Sequence, residues 1–451
     1  MGVSDYFSDE EIKTLDKCIT YASGRRMIVS KISREHESNW QMVETPHRIC
    51  REMLGLIPED AENFVIFFAL EFLEVLVKEL EFDGGRVVFI ADNELEANVA
   101  TVLYGVKSVV YSKQEVSGIA IKELLEDTGM KFGKVAVVGN PPYQQIDGKG
   151  GKGTSAKPIY HLFVEAVIDH LTPDYFSFIV PSRWMVGGKG LANHRERMMN
   201  DNRMKKIVHF PGEHPIFENI FITGGTSYFL WCRNYSGKCE FVTERTSSKR
   251  YLNKYDLILQ DNVAETILDK VLTKHSVYIS NSCYSRNPFS IDGNFNKWAL
   301  TGATCYSKGK QVNNIAANDY KDNFNIKNYY KVCVSKGDGA AQVLDKHGQK
   351  AVINSVFVLF PGEICTETYL VVKVFNSDNE AKHFFNYINS KFFRFLLGLR
   401  RTTPNLSREC FSWVPDLEDY SKPWTDEELY RKFELTDDEI KHIESKIKKL
   451  I

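Results

Sequence analysis

The sequence predicts an α/β protein with a doubly wound, largely parallel sheet, followed by a second domain of mixed α+β type. Buried-strand runs such as Arg86 to Ala91 and Val135 to Gly139 alternate with helical stretches, which is the doubly wound pattern. After about residue 245, short strand-like runs alternate with turns rich in Asn, Gly and Ser. The predicted segments are a helical segment at 1–40, an α/β domain at 41–244, an α+β domain at 245–420 and a helical tail at 421–451.

Composition and charge exclude several classes of protein. The 451 residues carry a net charge of −2 and 43% hydrophobic residues, which is ordinary for a soluble globular protein. No apolar run approaches the ~20 residues of a membrane span, and the nine cysteines lack the spacing of metal ligands. We therefore expect a cytoplasmic protein without a metal site or membrane contact. Any nucleic-acid binding must depend on local basic groups, because the whole chain is slightly acidic.

Apolar spacing and helix-start signals predict the individual elements. Thr45-Pro46 precedes an amphipathic stretch that reaches Leu54, which predicts a helix with proline at an early position. Residues 63–73 also suit a continuous helix, because their apolar residues recur at helical spacing. The other predicted elements are strands at 108–111, 175–180, 203–211 and 225–231, a helix ending at 104, and helices at 118–127, 159–168, 379–397 and 425–451.

The strongest functional signal is the tetrapeptide Asn140-Pro141-Pro142-Tyr143, which follows the strand ending at Gly139. Ligands bind at the carboxyl ends of parallel strands in such sheets. The Asn140 side-chain oxygen and the Pro141 carbonyl can each accept one N–H of an exocyclic amine, which makes the nitrogen more tetrahedral and more nucleophilic. The ring of Tyr143 offers a flat face on which an aromatic base can stack. An ordinary loop explains these four residues about as well when they are considered alone.

Two further features favour a site at this edge of the sheet. Asp92 follows the strand that ends at Ala91, where an acidic residue can accept hydrogen bonds from a ribose, although a carboxylate there is also a common helix cap. The glycine-rich segment from Asp147 to Thr154 carries Lys149 and Lys152. Both lysines suit contacts with the phosphates of a nucleic acid, and an exposed loop tip without function explains them equally well.

These residues resemble the amino-group DNA methyltransferases of restriction-modification systems, in the adenine-specific group that carries an Asn-Pro-Pro-Tyr motif. The resemblance covers roughly the first 240 residues and part of the tail. It implies a Rossmann-like methyltransferase sheet, S-adenosylmethionine as the methyl donor, and methylation of N6 of an adenine flipped out of double-stranded DNA. It also implies a C-terminal target-recognition domain and, as a partner, a cognate restriction endonuclease or a second subunit.

The resemblance also assigns roles to single residues. The catalytic motif is Asn140 to Tyr143, and Phe217 stacks on the face of the flipped base opposite Tyr143, with Phe221 as the competing choice. Arg400 and Arg401 are predicted DNA contacts, although a solvated face is the commoner role of such a basic pair. The residues expected to bind the cofactor are Thr45, Phe68, Glu71, Asp92, Asn93 and Asn140.

One departure from the family concerns the turn after the first strand. The family carries a Gly-x-Gly pattern there, because glycines let the backbone turn sharply and approach the cofactor. Aligned on Glu71-Phe72-Leu73, this chain has Phe68 and Leu70 at the two glycine positions. Larger side chains there fill space that the methionine moiety needs. The cofactor therefore binds in an altered way, or poorly, or not at all.

Three hypotheses about function follow. The first is an active DNA adenine methyltransferase, which is favoured because Asn140 to Tyr143 are intact. The second is a catalytically silent, methyltransferase-like DNA-binding subunit that has lost S-adenosylmethionine binding, which is favoured by the lost glycine turn. The third is methylation of an RNA or protein amine or amide, because the same tetrapeptide also occurs in enzymes of that kind.

Overall fold

A computed structural model describes residues 43–111, 115–129, 133–145, 157–188, 190–212, 216–217, 222, 224–244, 246–284 and 287–450. The predicted helical segment at 1–40, together with Lys149, Lys152 and Phe221, lies outside the described residues. Packing divides the chain into two units, one that ends at Gln260 and one that begins at Asp261.

Within the described residues, the first unit is built on a nine-stranded sheet and a short two-stranded one. The large sheet has the spatial order 3-2-1-4-7-9-8-10-11 in chain numbering. Its first five strands are parallel, and strand 9 is antiparallel to both of its neighbours. The strands are β1 (Asn63–Phe67), β2 (Val87–Ala91), β3 (Lys107–Val110), β4 (Val135–Gly139), β5 (Gln144–Gln145), β6 (Lys157–Pro158), β7 (Tyr175–Pro181), β8 (Met204–Phe210), β9 (Thr226–Cys232), β10 (Cys239–Val242) and β11 (Ser247–Arg250), of which β5 and β6 form the short sheet.

Helices connect these strands. The helices are α1 (His47–Leu54), α2 (Leu70–Leu73), α3 (Glu94–Tyr104), α4 (Gly118–Asp127), α5 (Tyr160–Ala166) and α6 (Ala192–Asn200), with π-helical turns at Glu74–Glu79 after α2 and at Val167–Leu171 after α5. The chain runs from β1 through β2 to β3 in one direction and then returns to place β4 on the other side of β1. Because crossover connections are right-handed, this reversal puts the helices on opposite faces. The predicted doubly wound α/β sheet is confirmed.

The alternative of a continuous helix over residues 63–73 is wrong. All five residues of β1 are buried between β2 and β4, and the helix begins only at Leu70. A central strand of a parallel sheet is covered on both faces, so it lacks the alternation of polar and apolar residues that would separate it from a buried helix.

The second unit combines helices with two three-stranded sheets in its described residues, as the α+β prediction requires. The predicted helix at 379–397 is two helices, because the chain leaves helical geometry at Ser390, whose side chain then accepts a hydrogen bond from the Phe393 N–H. The elements are β12 (Ala303–Ser307), β13 (Gln311–Ile315), β14 (Tyr330–Ser335), β15 (Val356–Leu359), β16 (Ile364–Cys365) and β17 (Tyr369–Phe375), with α7 (Asn262–Lys274), α8 (Ile279–Ser282), α9 (Asp378–Asn389), α10 (Lys391–Arg400), α11 (Asp426–Lys432) and α12 (Asp437–Lys446).

The boundaries of functional domains stay a prediction. The large sheet continues through β11 to Arg250, and the helices of the predicted tail are α11 and α12. In the part of the chain that the structure describes, no helix is long and apolar enough to cross a membrane.

Candidate active site

The candidate site lies where the strand order reverses, at the carboxyl ends of β1 and β4. The register places Phe67 beside Gly139, and the Asn140 N–H donates to the Phe67 carbonyl over 3.2 Å. A Cβ atom on Gly139 would lie 2.5 Å from that carbonyl oxygen, so only glycine permits this approach of the two strands. Ligands of open α/β sheets bind in the crevice at such a switch point. The turns after β1 and β4 are therefore its two walls.

Asn140 is held in one orientation by two hydrogen bonds. Its side-chain Nδ2 donates to the Val43 carbonyl over 2.7 Å and to the Thr45 hydroxyl over 3.0 Å. A carbonyl can only accept, which fixes the nitrogen of the amide on that side. Asn140 is 2% exposed, and its Oδ1 has no hydrogen-bond partner in the described part of the chain. A buried acceptor of this kind costs about 1–3 kcal/mol when it is left unpaired, so it requires an explanation.

The structure brings Thr45 into contact with Asn140, and its contact with the cofactor stays a prediction. Thr45 is buried, and its hydroxyl touches the Asn140 amide across 95 positions of sequence. Together with the Val43 carbonyl it occupies both amide hydrogens, so that the Asn140 oxygen is the group left to accept. Sequence reasoning missed Val43, because a backbone carbonyl carries no signal in the residue type.

The two aromatic residues expected to hold a base lie side by side. The ring centroids of Tyr143 and Phe217 are 6.2 Å apart, and the rings meet edge to face at 61°. Both side chains are buried, and the Tyr143 hydroxyl has no partner within the described residues. Burial raises the pKa of Tyr143 well above its usual value, so the hydroxyl stays protonated. The fold thus brings the two rings together, and they must move apart before a base can lie between them.

The turn after β1 has a backbone conformation that glycine usually adopts, but the residue in that conformation is Phe68. Phe68 has a φ of +55°, in the left-handed region that bulky residues rarely occupy. Its ring is buried and packs edge to face on Phe67 and Phe163, with centroids 5.7 and 5.4 Å away. Leu70 is 1% exposed and begins α2. The left-handed conformation costs roughly 1–2 kcal/mol for a residue with a Cβ atom, so packing stabilises a turn that the residue type disfavours.

Glu71, in the first turn of α2, is the second buried oxygen-bearing group of the crevice. Its side chain is buried, and Oε1 has no hydrogen-bond partner among the residues described. Desolvation raises the pKa of Glu71 to about 8, and the charges of Glu44 and Glu96 act in the same direction. Backbone N–H groups of Glu71 itself and of Thr45 oppose the shift. The carboxyl group is therefore mostly protonated at neutral pH.

Asp92 and Asn93 follow β2 on the other side of β1. Asp92 is partly exposed at the carboxyl end of the strand, the position expected for a group that binds a ribose. Asn93 caps α3, because its side-chain oxygen accepts from the Glu96 N–H over 2.9 Å. In turn, Glu96 Oε2 accepts from the Asp92 N–H over 3.3 Å. The helix cap among the two candidates is therefore Asn93.

A further buried pair lies at the same edge, on the two strands that flank β9. The Ser182 hydroxyl is 3.0 Å from His209 Nδ1, just after β7 and near the end of β8. Burial lowers the pKa of His209 to about 4, so the imidazole is neutral. Neither residue was singled out in the sequence, since one serine and one histidine 27 positions apart form no pattern.

The predicted DNA contacts in the second unit have different environments. Arg401 is 4% exposed, and its guanidinium donates to the backbone carbonyls of Val352, Asp338 and Pro404. These three bonds occupy the guanidinium inside the unit, and the DNA contact of Arg401 stays a prediction. Arg400 is partly exposed and lies over the Trp413 ring, with its guanidinium carbon 4.5 Å from the centroid.

The described ranges contain no candidate metal site. No group of three or more His, Cys, Asp or Glu side chains in those ranges could hold a metal ion.

Comparisons with known proteins show what this chain is similar to. Residues 107–217, which include β4 and the Asn140 motif, match the family model described as Eco57I restriction-modification methylase. A Mycoplasma pneumoniae protein described as an uncharacterized adenine-specific methylase is 32% identical over 176 residues, which are 36% of this chain and 41% of the relative. The chain thus spans about two fifths of that curated relative.

Two of the solved structures with partial likeness come from restriction-modification systems. A type I methyltransferase subunit from Streptococcus thermophilus has 13% identity and a TM-score of 0.35, covering 50% of this chain and 54% of that one. The type IIG restriction endonuclease BpuSI has 12% identity and a TM-score of 0.43, covering 93% of this chain and 62% of that one. Both TM-scores are below 0.5, so neither likeness extends to function. From the sequence matches, residues 107–217 are similar to the Eco57I type of restriction-modification methylase, and the resemblance to adenine-specific DNA methyltransferases is confirmed.

Proposed function

We propose that this chain transfers a methyl group from S-adenosylmethionine to N6 of an adenine that is flipped out of double-stranded DNA. The observation that carries the proposal is the buried Asn140 Oδ1, which lacks a partner within the described residues although both hydrogens of the same amide are bonded. A hydrogen-bond acceptor that is held in place and left open suits an amine, because the amine's N–H groups can donate to it.

In the proposed reaction the turn after β4 holds and activates the base. Asn140 Oδ1 and the Pro141 carbonyl each accept one N–H of the adenine amine, so that the nitrogen lone pair is less delocalised into the ring. Both oxygens are neutral and accept these hydrogens without removing a proton. As the N–C bond forms, the S–C bond of the methyl donor breaks and S-adenosylhomocysteine leaves, while the proton of the methylated nitrogen passes to solvent. Tyr143 and Phe217 separate and stack on the two faces of the base, and S-adenosylmethionine supplies the electrophilic methyl group when bound.

The residues at the switch point fit S-adenosylmethionine in part. Asp92 stands at the strand end where a ribose is bound in related sheets, and Glu71 adds a buried oxygen without a partner in the described ranges. Phe68 keeps the left-handed turn that glycine normally provides. The opposing observation is that Phe68 and Leu70 place buried side chains at both glycine positions, which favours the second candidate, a silent DNA-binding subunit.

The DNA partner and its recognition belong to the same proposal. We assign target recognition to the second unit, with Arg400 as its candidate phosphate contact, and a cognate restriction endonuclease or second subunit as partner. The relatives named above come from adenine-specific methylases and restriction-modification systems.

The test is methyl transfer from labelled S-adenosylmethionine to duplex DNA of random sequence, to the same DNA as single strands, and to RNA. We expect label in the duplex with the wild-type chain and with Asn200→Ala, an exposed asparagine of α6, and none with Asn140→Ala. Calorimetric binding of S-adenosylmethionine separates the candidates. A chain that binds DNA but not the methyl donor is the silent subunit, and label in RNA alone supports the third hypothesis.

A further inference from the structure

Arg183 is a surface arginine on a turn that the chain fixes at both ends. The turn, Ser182–Met185, directly follows β7. The Gln260 side chain donates to the Ser182 carbonyl over 3.2 Å, and the Ile258 N–H donates to the Met185 carbonyl over 2.9 Å. The Arg183 side chain itself is exposed. The backbone therefore holds the start of this side chain in place, while its guanidinium is accessible to a ligand.

Two glycines leave space around Arg183. Gly188 has a φ of +108° and Gly224 a φ of +86°, a backbone region that favours glycine. A Cβ atom on Gly188 would lie 3.5 Å from the Cγ and Nε atoms of Arg183, and one on Gly224 would lie 3.6 Å from its Cα atom. Backbone rather than side chains thus borders the arginine at these two positions, which leaves room for a ligand as large as a phosphate group.

The charge of Arg183 is not compensated by an acid within the described residues. No ion pair joins it to a described carboxylate. Other arginines of the first unit do pair with a carboxylate, namely Arg48, Arg51, Arg197, Arg203 and Arg233. An exposed guanidinium without a described acidic partner is suited to bind an anion from outside the chain.

A second cation lies beside the turn after β4. Lys157 belongs to β6, which pairs with β5 directly after Tyr143. The Ile159 N–H donates to the Tyr143 carbonyl over 3.1 Å, which holds the end of β6 against that turn. Lys157 is exposed and, like Arg183, has no ion pair with a residue that the structure describes. This side of the candidate site therefore carries positive charge that is open to a ligand.

The two cations act on adjacent residues at the start of α5. Burial raises the pKa of Tyr160, and the charge of Arg183 opposes that rise. Burial lowers the pKa of His161 to about 4, and the charges of His194 and Lys157 act in the same direction. Because such effects weaken with distance, Arg183 and Lys157 both lie close to the start of α5.

The strand order indicates which anion this is. β7 lies next to β4, on the side away from β1 and β2. In the proposed function the methyl donor lies against β1 and β2, and the amine of the flipped adenine lies at Asn140, after β4. The sugar and phosphate of that nucleotide then extend towards β7. S-adenosylmethionine carries no phosphate group, so a phosphate at Arg183 belongs to the nucleic acid.

We propose that Arg183 binds a backbone phosphate of the DNA strand that carries the flipped adenine. This inference rests on the proposed function and deepens it, because it names a residue that holds the methylated strand. The planar guanidinium offers paired N–H donors that match two oxygens of a phosphate group. Such a contact positions the DNA and reads no sequence. Affinity for DNA therefore depends on Arg183, whereas the choice of sequence does not.

The first experiment measures binding of the full chain to fluorescent duplex DNA of random sequence, by anisotropy, between about 50 and 200 mM salt. Arg183→Gln removes the charge and Arg183→Lys keeps it. The control is Arg233→Gln, which removes a charge beside Asp174, just before β7 and so at the opposite edge of the sheet. Thermal melting checks the fold of each variant.

Salt dependence gives the expected result. One phosphate contact contributes about 0.9 to the slope of the logarithm of affinity against the logarithm of salt concentration. We expect Arg183→Gln to reduce this slope by about 1 and to weaken binding about tenfold near 0.1 M salt. Arg183→Lys and Arg233→Gln should keep the wild-type slope. Equal slopes for Arg183→Gln and the wild type would overturn the inference, while methyl transfer by the wild type would leave the proposed function standing.

The second experiment uses the wild-type chain, so it decides even if a variant fails to fold. Phenylglyoxal modifies accessible arginines, and mass spectrometry of peptides measures the extent of modification at each one. Duplex DNA should protect Arg183 and leave Arg233 reactive, and S-adenosylmethionine alone should protect neither. An unprotected Arg183 in a chain saturated with DNA would overturn the inference.

Two further outcomes concern the nucleic acid itself. Protection of Arg183 by duplex RNA and not by DNA would overturn the inference and favour the third hypothesis. A wild-type chain that binds no DNA would overturn the inference together with the DNA part of the proposed function.

Discussion

The turns after β1 and β4 lie side by side at one edge of the sheet, and they preserve different things. The turn after β4 retains the whole tetrapeptide from Asn140 to Tyr143 and an acceptor oxygen that is left open within the described residues. The turn after β1 has Phe68 and Leu70 where the resembling family is expected to have glycines, and Phe68 adopts the left-handed backbone at a φ of +55°. A residue with a side chain thus holds a backbone conformation that favours glycine, because packing around Phe68 offsets the strain.

The largest effect is expected in the turn after β4. Asn140→Ala removes the acceptor and should lower the rate of methyl transfer by about 10²–10³-fold or more, as the loss of a preorganised hydrogen-bonding group does elsewhere. Affinity for S-adenosylmethionine should change much less than the rate. Single-turnover transfer of labelled methyl groups measures the rate, and Asn200→Ala is the matched control. A rate within threefold of the wild type would remove Asn140 from the chemistry.

The next effect concerns Glu71 in the turn after β1. The pKa of this carboxyl group is near its ordinary value of 4.5 in the unfolded chain, whereas burial raises it to about 8 in the folded chain. The folded state therefore binds more protons between these values, and wild-type stability is lost as pH rises from 4.5 to 8. Glu71→Gln removes this loss and should stabilise the chain by about 2–3 kcal/mol at pH 7.

Urea denaturation at pH 4.5 and pH 7 measures this difference. The advantage of Glu71→Gln over the wild type should be small at pH 4.5 and should grow towards pH 8. Glu94→Gln, at an exposed site, should show no such growth. Equal stability of Glu71→Gln and the wild type at pH 7 would mean that the carboxyl group finds a compensating partner.

A smaller effect tests how Thr45 positions Asn140. Thr45→Val keeps the volume but removes the hydroxyl that accepts from Nδ2 over 3.0 Å. The amide can then rotate, so we expect kcat to fall about tenfold, which corresponds to a bond of about 1.4 kcal/mol. Thr45→Ser keeps the hydroxyl and should restore most of kcat, with KM for DNA unchanged in both variants. Equal kcat values for the valine and serine variants would contradict a positioning role.

The smallest effect tests the backbone of the turn after β1. A protein with glycine inside a helix or strand is normally less stable than the same protein with alanine there, by roughly 0.5–1 kcal/mol. At Phe68 the order should reverse, with Phe68→Gly more stable than Phe68→Ala by about 1 kcal/mol, because φ is +55°. The adjacent Phe67, inside β1, should show the normal order. Thermal melting of the four variants compares them, and an unreversed order at Phe68 would refute the left-handed turn.

The sequence predicted the turn after β4 far better than the turn after β1. A strand closed by Gly139 and two prolines is a local signal, so its position could be predicted. The resemblance to the methyltransferases, rather than a local signal, supplied Phe217 as the aromatic partner of Tyr143. The conformation of Phe68 could not, because nothing in a phenylalanine indicates a positive φ. The contact of Thr45 with Asn140 joins residues 95 positions apart. Such contacts depend on tertiary packing, which local patterns do not encode.

Charge was the least predictable property. Glu71 is an acidic residue type, but burial raises the pKa of its carboxyl group and keeps it mostly protonated at neutral pH. Arg401 sits in an exposed-looking basic pair, yet three backbone carbonyls enclose its guanidinium. In both cases the environment, rather than the residue type, decides what the group can bind.

The most direct test of the central claim identifies the methylated product. Duplex DNA is incubated with the full chain and S-adenosylmethionine that carries a trideuterated methyl group, then digested to nucleosides and examined by mass spectrometry. Deuterated N6-methyldeoxyadenosine should form with the wild-type chain and be lost with Asn140→Ala. A wild-type chain that binds the methyl donor and the DNA, yet leaves every adenine unlabelled, would contradict the account.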